Sequence, residues 1–156
     1  MPVLVVGADT PTGSAIIAAL AGRDGELRCF VSDSTVAIEL KSRSTKVALG
    51  DVSDGSHVGA AGINCFSMVF VTEAARDERV RSFASSPEEV FEQWQEAIEM
   101  AGVQRVIWVE DEPSEGSGTK IVATELAVVV GRTKDTSEIA ARVVELDEVA
   151  DLSSIV

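Results

Sequence analysis

Short apolar runs alternate with helix-like patterns along most of the chain. Each run is followed by a segment in which apolar residues recur three or four positions apart, the spacing of an amphipathic helix. Such alternation is typical of βαβ units, in which the strands form one parallel sheet and the helices cover its faces. The predicted strands are Val3–Val6, Leu27–Val31, Lys46–Leu49, Ser67–Val71 and Val103–Val109. The sequence therefore predicts a parallel sheet of at least five strands with helices on both faces.

Capping residues mark where several of the helices begin. The most distinct helix starts in Ser86-Pro87-Glu88-Glu89, a capping box with proline at the first helical position, and ends before Gly102. Thr72–Ser85 shows no period and is predicted to be a loop, as is Glu110–Gly118. Ile121–Val130 fits a strand or a helix, and its β-branched residues favour a strand in the second half. The other predicted helices are Gly13–Leu20, Ser34–Lys41, Ser56–Ala61 and a last one that begins after Asp135.

Length and charge limit the classes of protein to which the chain can belong. Its 156 residues are expected to form a single domain over residues 1–156. The net charge of −13 disfavours nucleic acid as a partner, because like charges repel. No apolar run reaches the length of a membrane-spanning helix, and the first residues lack the basic start of a signal peptide. We therefore expect a cytoplasmic protein, not bound to a membrane, in which Cys29 and Cys65 are reduced and buried.

The strongest candidate for a binding site is the loop between the first strand and the first helix, Gly7-Ala8-Asp9-Thr10-Pro11-Thr12-Gly13. A helix N-terminus here would offer N–H groups and the positive end of its dipole to a pyrophosphate. Gly7 would allow the tight turn, and Gly13 would allow the helix to pack closely on the strand. Asp33 follows the second strand, where a carboxylate meets the adenosine ribose in dinucleotide-binding proteins. The same glycines would also suit a plain structural turn, and both interpretations stay open.

With these motifs the chain resembles the NAD(P)-binding half of the short-chain dehydrogenase/reductase superfamily, in its atypical, NmrA-like branch. The first loop matches the ends of the family's Gly-x-x-Gly-x-x-Gly motif, Gly50–Asp54 resembles the segment that contacts adenine, and Ala101–Val109 resembles the fifth strand with the preceding helix end. The resemblance implies a Rossmann-like, doubly wound α/β fold in three layers, α/β/α, with NAD or NADP as cofactor. The candidate cofactor-binding residues are Gly7, Asp9, Thr10, Pro11, Thr12, Gly13, Ser32, Asp33, Asp51 and Val52.

Two departures from the family bear on the cofactor. Thr10 replaces the middle glycine of the loop, and its side chain is expected to intrude where the backbone approaches the pyrophosphate. Ser32 stands where NADP-preferring relatives often carry an arginine, and so supplies no positive charge. Because Asp33 would accept a hydrogen bond from a ribose hydroxyl and repel a phosphate there, we expect NAD(H) to bind better than NADP(H).

Two further departures bear on catalysis. The chain has no tyrosine, so the Tyr-x-x-x-Lys pair of the family is absent. If Lys120 is the matching lysine, Gly116 stands in the place of the tyrosine. Glu110 stands where strand five of active relatives ends in a serine, although a protonated Glu110 would be able to act as a substitute acid. No catalytic residue is therefore assigned.

The remaining candidate residues favour structural roles. His57, the only histidine, is expected to have a surface or capping role. No metal site is predicted, because the spacing of the acidic residues after the fifth strand matches no known metal loop and fits a solvated loop. These acidic residues are Glu110, Asp111, Glu112 and Glu115.

Three functions stay open from the sequence. The preferred one is a dinucleotide-binding module without ordinary dehydrogenase catalysis, in a sensing, regulatory or interaction role. The second is a divergent NAD(P)-dependent oxidoreductase, and the third is a structural domain that binds no nucleotide. A homodimer is also predicted through the helix Ser86–Ala101, because this helix carries the large side chains Phe91 and Trp94.

Overall fold

The architecture is that of the predicted α/β sandwich. The computed structural model describes residues 1–23, 25–43, 45–112, 121–132 and 134–152. Its strands are β1 (Val3–Val6), β2 (Leu27–Val31), β3 (Lys46–Leu49), β4 (Ser67–Val71), β5 (Arg105–Glu110) and β6 (Glu125–Val130). Its helices are α1 (Pro11–Leu20), α2 (Ser34–Ser42), α3 (Gly55–Ala61), α4 (Pro87–Ala101) and α5 (Thr136–Glu148), and a short 3₁₀ helix, Thr72–Ala75, follows β4.

The strands form one parallel sheet in the order β3-β2-β1-β4-β5-β6. Val3 of β1 is level with Leu27 of β2 on one side and with Ser67 of β4 on the other. The chain therefore builds outward from β1 to β3, returns to the centre with β4, and builds outward again to β6. The strand order reverses between β1 and β4, and ligands of doubly wound sheets bind beside this point, outside the carboxyl ends of the strands. The predicted Rossmann-like fold is confirmed.

Each strand contributes alternate side chains to two separate cores. Val3 and Val5 of β1 pack on the side that α1, α2 and α5 cover. Leu4 and Val6 point to the opposite side, which α3 and α4 cover. Because both faces of the sheet are covered, most strand residues are apolar, and this is why the bounds of the strands are readable in the sequence. No helix within the described ranges is both long and apolar enough to cross a membrane.

The helix α4 directs its large side chains into the core. Phe91 and Trp94 are buried against Phe70 and Trp108, with ring centroids between 5.0 and 5.7 Å apart. The interpretation of Phe91 and Trp94 as a dimer surface is therefore wrong. The opposite face of α4 is exposed and acidic, so two copies of it would repel each other. Its acidic residues are Glu88, Glu92, Glu96 and Glu99. Self-association stays a prediction without support from this helix.

Arg105, a buried arginine on β5 that the sequence did not single out, holds the C-terminal end of α5 in place. Its Nη1 donates to the carbonyl oxygens of Leu146 at 2.9 Å and of Val149 at 2.6 Å, and its Nη2 lies 3.0 Å from a Glu125 oxygen. This residue, Arg105, satisfies carbonyl groups that the helix itself leaves without donors. Arg105 therefore links the end of α5 to β5 and to the neighbouring strand β6.

The remaining differences from the predicted elements are at their ends. The helix α1 begins at Pro11 rather than Gly13, because Thr10 caps it. Glu110, predicted to be in a loop, is the last residue of β5, whereas most of the predicted loop after it lies outside the described residues. The second half of the ambiguous stretch is β6, as favoured. Cys29 and Cys65 are buried free thiols, as predicted, and burial raises the pKa of Cys29 to about 12.

Candidate functional site

The loop between β1 and α1 is built around two glycines at the carboxyl end of the central strand. Gly7 has a positive φ of 89°, a conformation that other residues rarely adopt. A Cβ added to Gly13 would lie 2.0 Å from the Gly7 carbonyl oxygen, so no side chain fits there. The first turn of α1 thus packs directly on the backbone of the loop. The packing roles predicted for both glycines are confirmed.

Thr10 caps α1 from within the loop. Its Oγ1 accepts a hydrogen bond from the Gly13 N–H at 2.9 Å and donates to the Gly7 oxygen at 2.7 Å. The sequence predicted that this side chain intrudes where a pyrophosphate would approach. It is instead buried and does not project there. The effect of the Thr10 side chain is that the Gly13 N–H is already hydrogen-bonded within the loop. Pro11 has no N–H, so the first-turn donor without an acceptor among the described residues is the amide of Thr12.

A buried carboxylate connects this loop to the end of β2. The Asp9 side chain is only 4% exposed. Its Oδ2 accepts from the backbone N–H groups of Ser32 at 2.8 Å and Asp33 at 3.2 Å. Its Oδ1 lies 2.9 Å from Nη1 of Arg79, whose side chain is 11% exposed. Asp9 therefore receives three donors that would otherwise face a ligand at the end of β2.

Asp33 has a structural role that its position in the sequence did not indicate. Its Oδ1 accepts from the N–H groups of Thr35 at 2.8 Å and Val36 at 3.2 Å, so the exposed side chain is the N-cap of α2. An aspartate in this position satisfies helix donors as readily as it would bind a ribose. Asp33 also lines the cavity beside Asp9, so its contact with a ribose stays a prediction.

The turn after β3 is fixed by its own hydrogen bonds and by α4. Asp51 accepts from Ser53 through one oxygen and from the Ser82 N–H, at 2.7 Å, through the other. Burial alone would raise the pKa of Asp51, but these hydrogen bonds outweigh burial and lower the pKa. Val52 is buried, and its carbonyl oxygen accepts from Nε1 of Trp94 at 2.8 Å. The aromatic core thus determines where this turn lies.

Residues 76–85, here called the strap, cross the carboxyl ends of β1, β2 and β3. Arg79 reaches Asp9, and the Ser82 and Phe83 amides donate to Asp51 and Ser53. A cavity of about 400 Å³ lies on the side of Asp9 and Ser32, and another of about 430 Å³ lies between the strap and the start of α4. Sequence reasoning missed Arg79, because it looked for a positive charge only in the residues directly after β2.

The other half of the carboxyl edge, after β4 and β5, is acidic. Thr72 is buried and donates to the Val109 carbonyl oxygen at 2.9 Å, and Glu110 is buried at the end of β5. Burial, and then the nearby carboxylates of Asp111 and Asp77, raise the pKa of Glu73. Lys120 and Gly116, which the sequence analysis considered as the remnant of the Tyr-Lys pair, lie outside the described residues.

The remaining candidates from the sequence are His57 and the acidic residues after β5. His57 packs edge-on against Phe30, with ring centroids 4.9 Å apart, and its ring fills the space beside Gly50. Within the described part of the chain, no group of three or more His, Cys, Asp or Glu residues is arranged to hold a metal ion. Glu115 of the acidic stretch is not among the described residues.

Comparisons with known proteins match the fold and not the sequence. No protein-family model matches the chain, and no curated protein matches it. The anaerobillin reductase ChuY from Escherichia coli superimposes with a TM-score of 0.69 at 14% identity, covering 97% of this chain and 93% of that one. The triphenylmethane reductase of a Citrobacter species, solved with NADP(H), gives 0.60 at 16% identity and covers 93% and 46%. An NADPH-dependent quinone oxidoreductase from Escherichia coli gives 0.56 at 15% identity and covers 69% and 36%.

These likenesses define the class of the fold. The chain is a Rossmann-type α/β domain, and proteins with the same fold include several reductases. It spans nearly the whole of the first of these structures but less than half of the other two. The Rossmann-like fold that the resemblance in the sequence implied is therefore confirmed.

Replacing Gly13 with alanine tests the close contact between α1 and the loop. The added methyl would overlap the Gly7 carbonyl oxygen, so we expect Gly13→Ala to lower the free energy of unfolding by about 1–3 kcal/mol. Gly22→Ala is the matched control, because open space surrounds Gly22, and we expect it to change stability by less than about 0.5 kcal/mol. Urea denaturation measures both. Equal stabilities of the two variants would contradict this account of the loop.

Proposed function

We propose that the chain binds an NAD(P)-type dinucleotide at the carboxyl ends of β1, β2 and β3, beside the point where the strand order reverses. The observation that carries the proposal is the contact between Gly13 and the Gly7 carbonyl oxygen, which brings the N-terminus of α1 onto this edge without a side chain in between. A helix N-terminus so placed is where doubly wound sheets bind a pyrophosphate. The likeness to reductases that use NADP(H) supports the same ligand class.

The residues at this edge fit such a ligand in three places. The Thr12 amide would donate to the pyrophosphate. The Asp9 carboxylate lies at the end of β2, where it would accept a hydrogen bond from a ribose hydroxyl in place of Asp33. The turn of Asp51 and Val52 would border the adenine. When bound, a nicotinamide dinucleotide supplies hydride chemistry, which the protein would direct through the residues after β4 and β5.

Removing the Thr10 side chain tests the pyrophosphate position. In Thr10→Gly the Gly13 N–H loses its internal acceptor and becomes available to a phosphate oxygen. A hydrogen bond to a charged group is worth about 1.5–3 kcal/mol, so we expect calorimetry to show NADH binding at least about tenfold tighter. The lost cap would also lower stability by up to about 1 kcal/mol.

The control for Thr10→Gly is Asp135→Gly, which removes the N-cap of α5 on a different helix. It should lower stability without changing the affinity for NADH. Unchanged affinity in Thr10→Gly would mean that the N-terminus of α1 does not contact the pyrophosphate.

We further propose a preference for NAD(H), carried by Asp9 rather than by Asp33. Asp9 already accepts from the Ser32 and Asp33 amides and from Arg79, which are the donors nearest the end of β2. A 2′-phosphate placed there would meet a carboxylate and would find those donors engaged. A ribose hydroxyl, which can itself donate, would meet a suitable acceptor.

The preference is measured as the ratio of the Kd values for NADPH and NADH. We expect the wild-type ratio to exceed about 10, because a carboxylate within about 5 Å repels a phosphate by a few kcal/mol and about 1.4 kcal/mol is already a tenfold difference. Asp9→Asn keeps an oxygen for the two amides and removes the charge, so the ratio should fall by about tenfold. Asp33→Asn is the control and should leave the ratio unchanged. A ratio that responds only to Asp33→Asn would restore the assignment to Asp33.

For catalysis, the preferred interpretation is a binding module without ordinary carbonyl-reductase activity. The chain has no tyrosine to deliver a proton. Negative side chains border the place where an oxyanion would develop, and stabilisation of an oxyanion needs donors. A general acid contributes roughly 10²–10⁴ to the rate, and without one we expect turnover to be close to background.

A divergent oxidoreductase is the second candidate function. Two observations favour it: the fold match with a reductase of nearly the same length, and the raised pKa of Glu73, which would hold a proton longer than an ordinary glutamate. Glu73 lies in the 3₁₀ helix that follows β4, at the same edge as Glu110. Either carboxyl group, protonated, would be a substitute for the missing acid.

Oxidation of NADH and NADPH with a panel of aldehydes, ketones and quinones separates the two functions. We expect no turnover above background for the wild type, since the general acid is absent. The variants Glu73→Gln and Glu110→Gln are assayed alongside, because glutamine keeps the shape and removes the proton donor. Turnover in the wild type that either variant abolishes would establish the oxidoreductase and identify its acid.

A further inference from the structure

The strap occupies the edge of the sheet at which the adenosine half of a dinucleotide would bind. Three of its attachments lie on or beside residues proposed to meet the ligand. Arg79 pairs with Asp9 at 2.9 Å, the Ser82 amide donates to Asp51 at 2.7 Å, and the Phe83 amide donates to Ser53 at 3.0 Å. The acceptors at the ends of β1 and β3 are therefore already used by the chain itself.

The attachment is polar and involves little apolar burial. Val80 and Phe83 are 81% and 57% exposed, and the small side chain of Ala84 is the part of the strap that packs against the core under α3 and α4. The two cavities that flank it leave space on both sides. Segments with few apolar contacts and solvent-facing backbone hydrogen bonds open at low free energy while the rest of the fold stays intact.

Arg79 is the residue that holds the strap to the central strand. Its guanidinium also pairs with Asp77 of the strap, at 2.7 Å, and Asp77 in turn accepts from Arg81. These charges keep the strap together as one unit, and only Arg79 joins this unit to Asp9. If the strap moved away, Oδ1 of Asp9 would lose its cation, whereas Oδ2 would keep the amides of Ser32 and Asp33.

We propose that the strap is an autoinhibitory segment, held closed by the Arg79–Asp9 ion pair, and that a dinucleotide binds only when the strap is displaced from Asp9 and Asp51. The proposal rests on the proposed function and adds a regulation of the same site. A ribose hydroxyl would replace Arg79 at Asp9. The apparent affinity is then the intrinsic affinity multiplied by the fraction of molecules in which the strap is open.

Two variants that open the strap test this proposal. Arg79→Met removes the ion pair, and Ser82→Pro removes the amide that donates to Asp51 while leaving Asp9 and Arg79 unchanged. The control is Arg43→Met, which makes the same change of charge in an exposed pair with Glu39 on α2. Calorimetry should show NADH and NADPH each binding about tenfold tighter to Arg79→Met and Ser82→Pro than to the wild type and the control.

Hydrogen exchange of the wild type gives a readout that does not depend on activity. Saturating NADH should accelerate exchange at the Ser82 and Phe83 amides, because the displaced strap loses its hydrogen bonds to Asp51 and Ser53, and should slow exchange at Thr12.

Slower exchange at Ser82 and Phe83 in the presence of NADH would overturn the proposal, since the strap would then close over the ligand. NADH binding that is unchanged or weaker in both Arg79→Met and Ser82→Pro would also overturn it, because opening the strap would then not make the site available. In both cases the proposed function would stand. If neither dinucleotide bound to any of the four proteins, the proposed function would fail first and this proposal with it.

Discussion

The Asp9 carboxylate is almost fully removed from solvent, and a buried charge without partners would cost several kcal/mol. Its partners come from two other parts of the chain, the amides of Ser32 and Asp33 after β2 and Arg79 of the strap, so that with its own β1–α1 loop it joins three segments. The requirement to satisfy this one group therefore determines how the three segments meet at the carboxyl edge. The cofactor preference and the closed strap that we propose both follow from it.

The two halves of the carboxyl edge differ in what they offer to a ligand. The half formed by β1, β2 and β3 has backbone donors, the close-packed glycines Gly7 and Gly13, and the buried acceptor Asp9. Its polar groups, however, are hydrogen-bonded to one another. The half after β4 and β5 carries Glu73, Glu110 and Asp111, and Thr72 donates to the backbone there. This asymmetry favours recognition of a dinucleotide over transfer of a proton to an oxyanion.

Much of the fold was predictable because its signals are local. Strands β1 to β4 have the predicted bounds, since each is a short and mainly apolar run between polar segments. The helix α4 was equally clear from its capping box and from Gly102, which adopts the left-handed conformation at its end. The close packing of Gly13 on Gly7 was also foreseen, because the loop motif requires it.

The rest depends on contacts that leave no local pattern. Arg79 meets Asp9 across 70 positions of the chain, and nothing near either residue indicates the pair. The cap that Asp33 forms on α2 was not predicted, because a helix cap and a ribose acceptor call for the same residue type in the same place. Phe91 and Trp94 were misassigned because an apolar helix face looks the same whether it meets the core or another molecule.

The most direct test of the central claim is to locate the dinucleotide on the protein. Backbone amide resonances of the ¹⁵N-labelled wild type are followed while NADH is titrated to millimolar concentration. The account predicts that the largest shifts occur at Thr12 in α1, at Ser32 after β2 and at Ser82 in the strap, with the resonances of α5 unchanged. Shifts confined to another face of the sheet, or none at millimolar NADH, would contradict it.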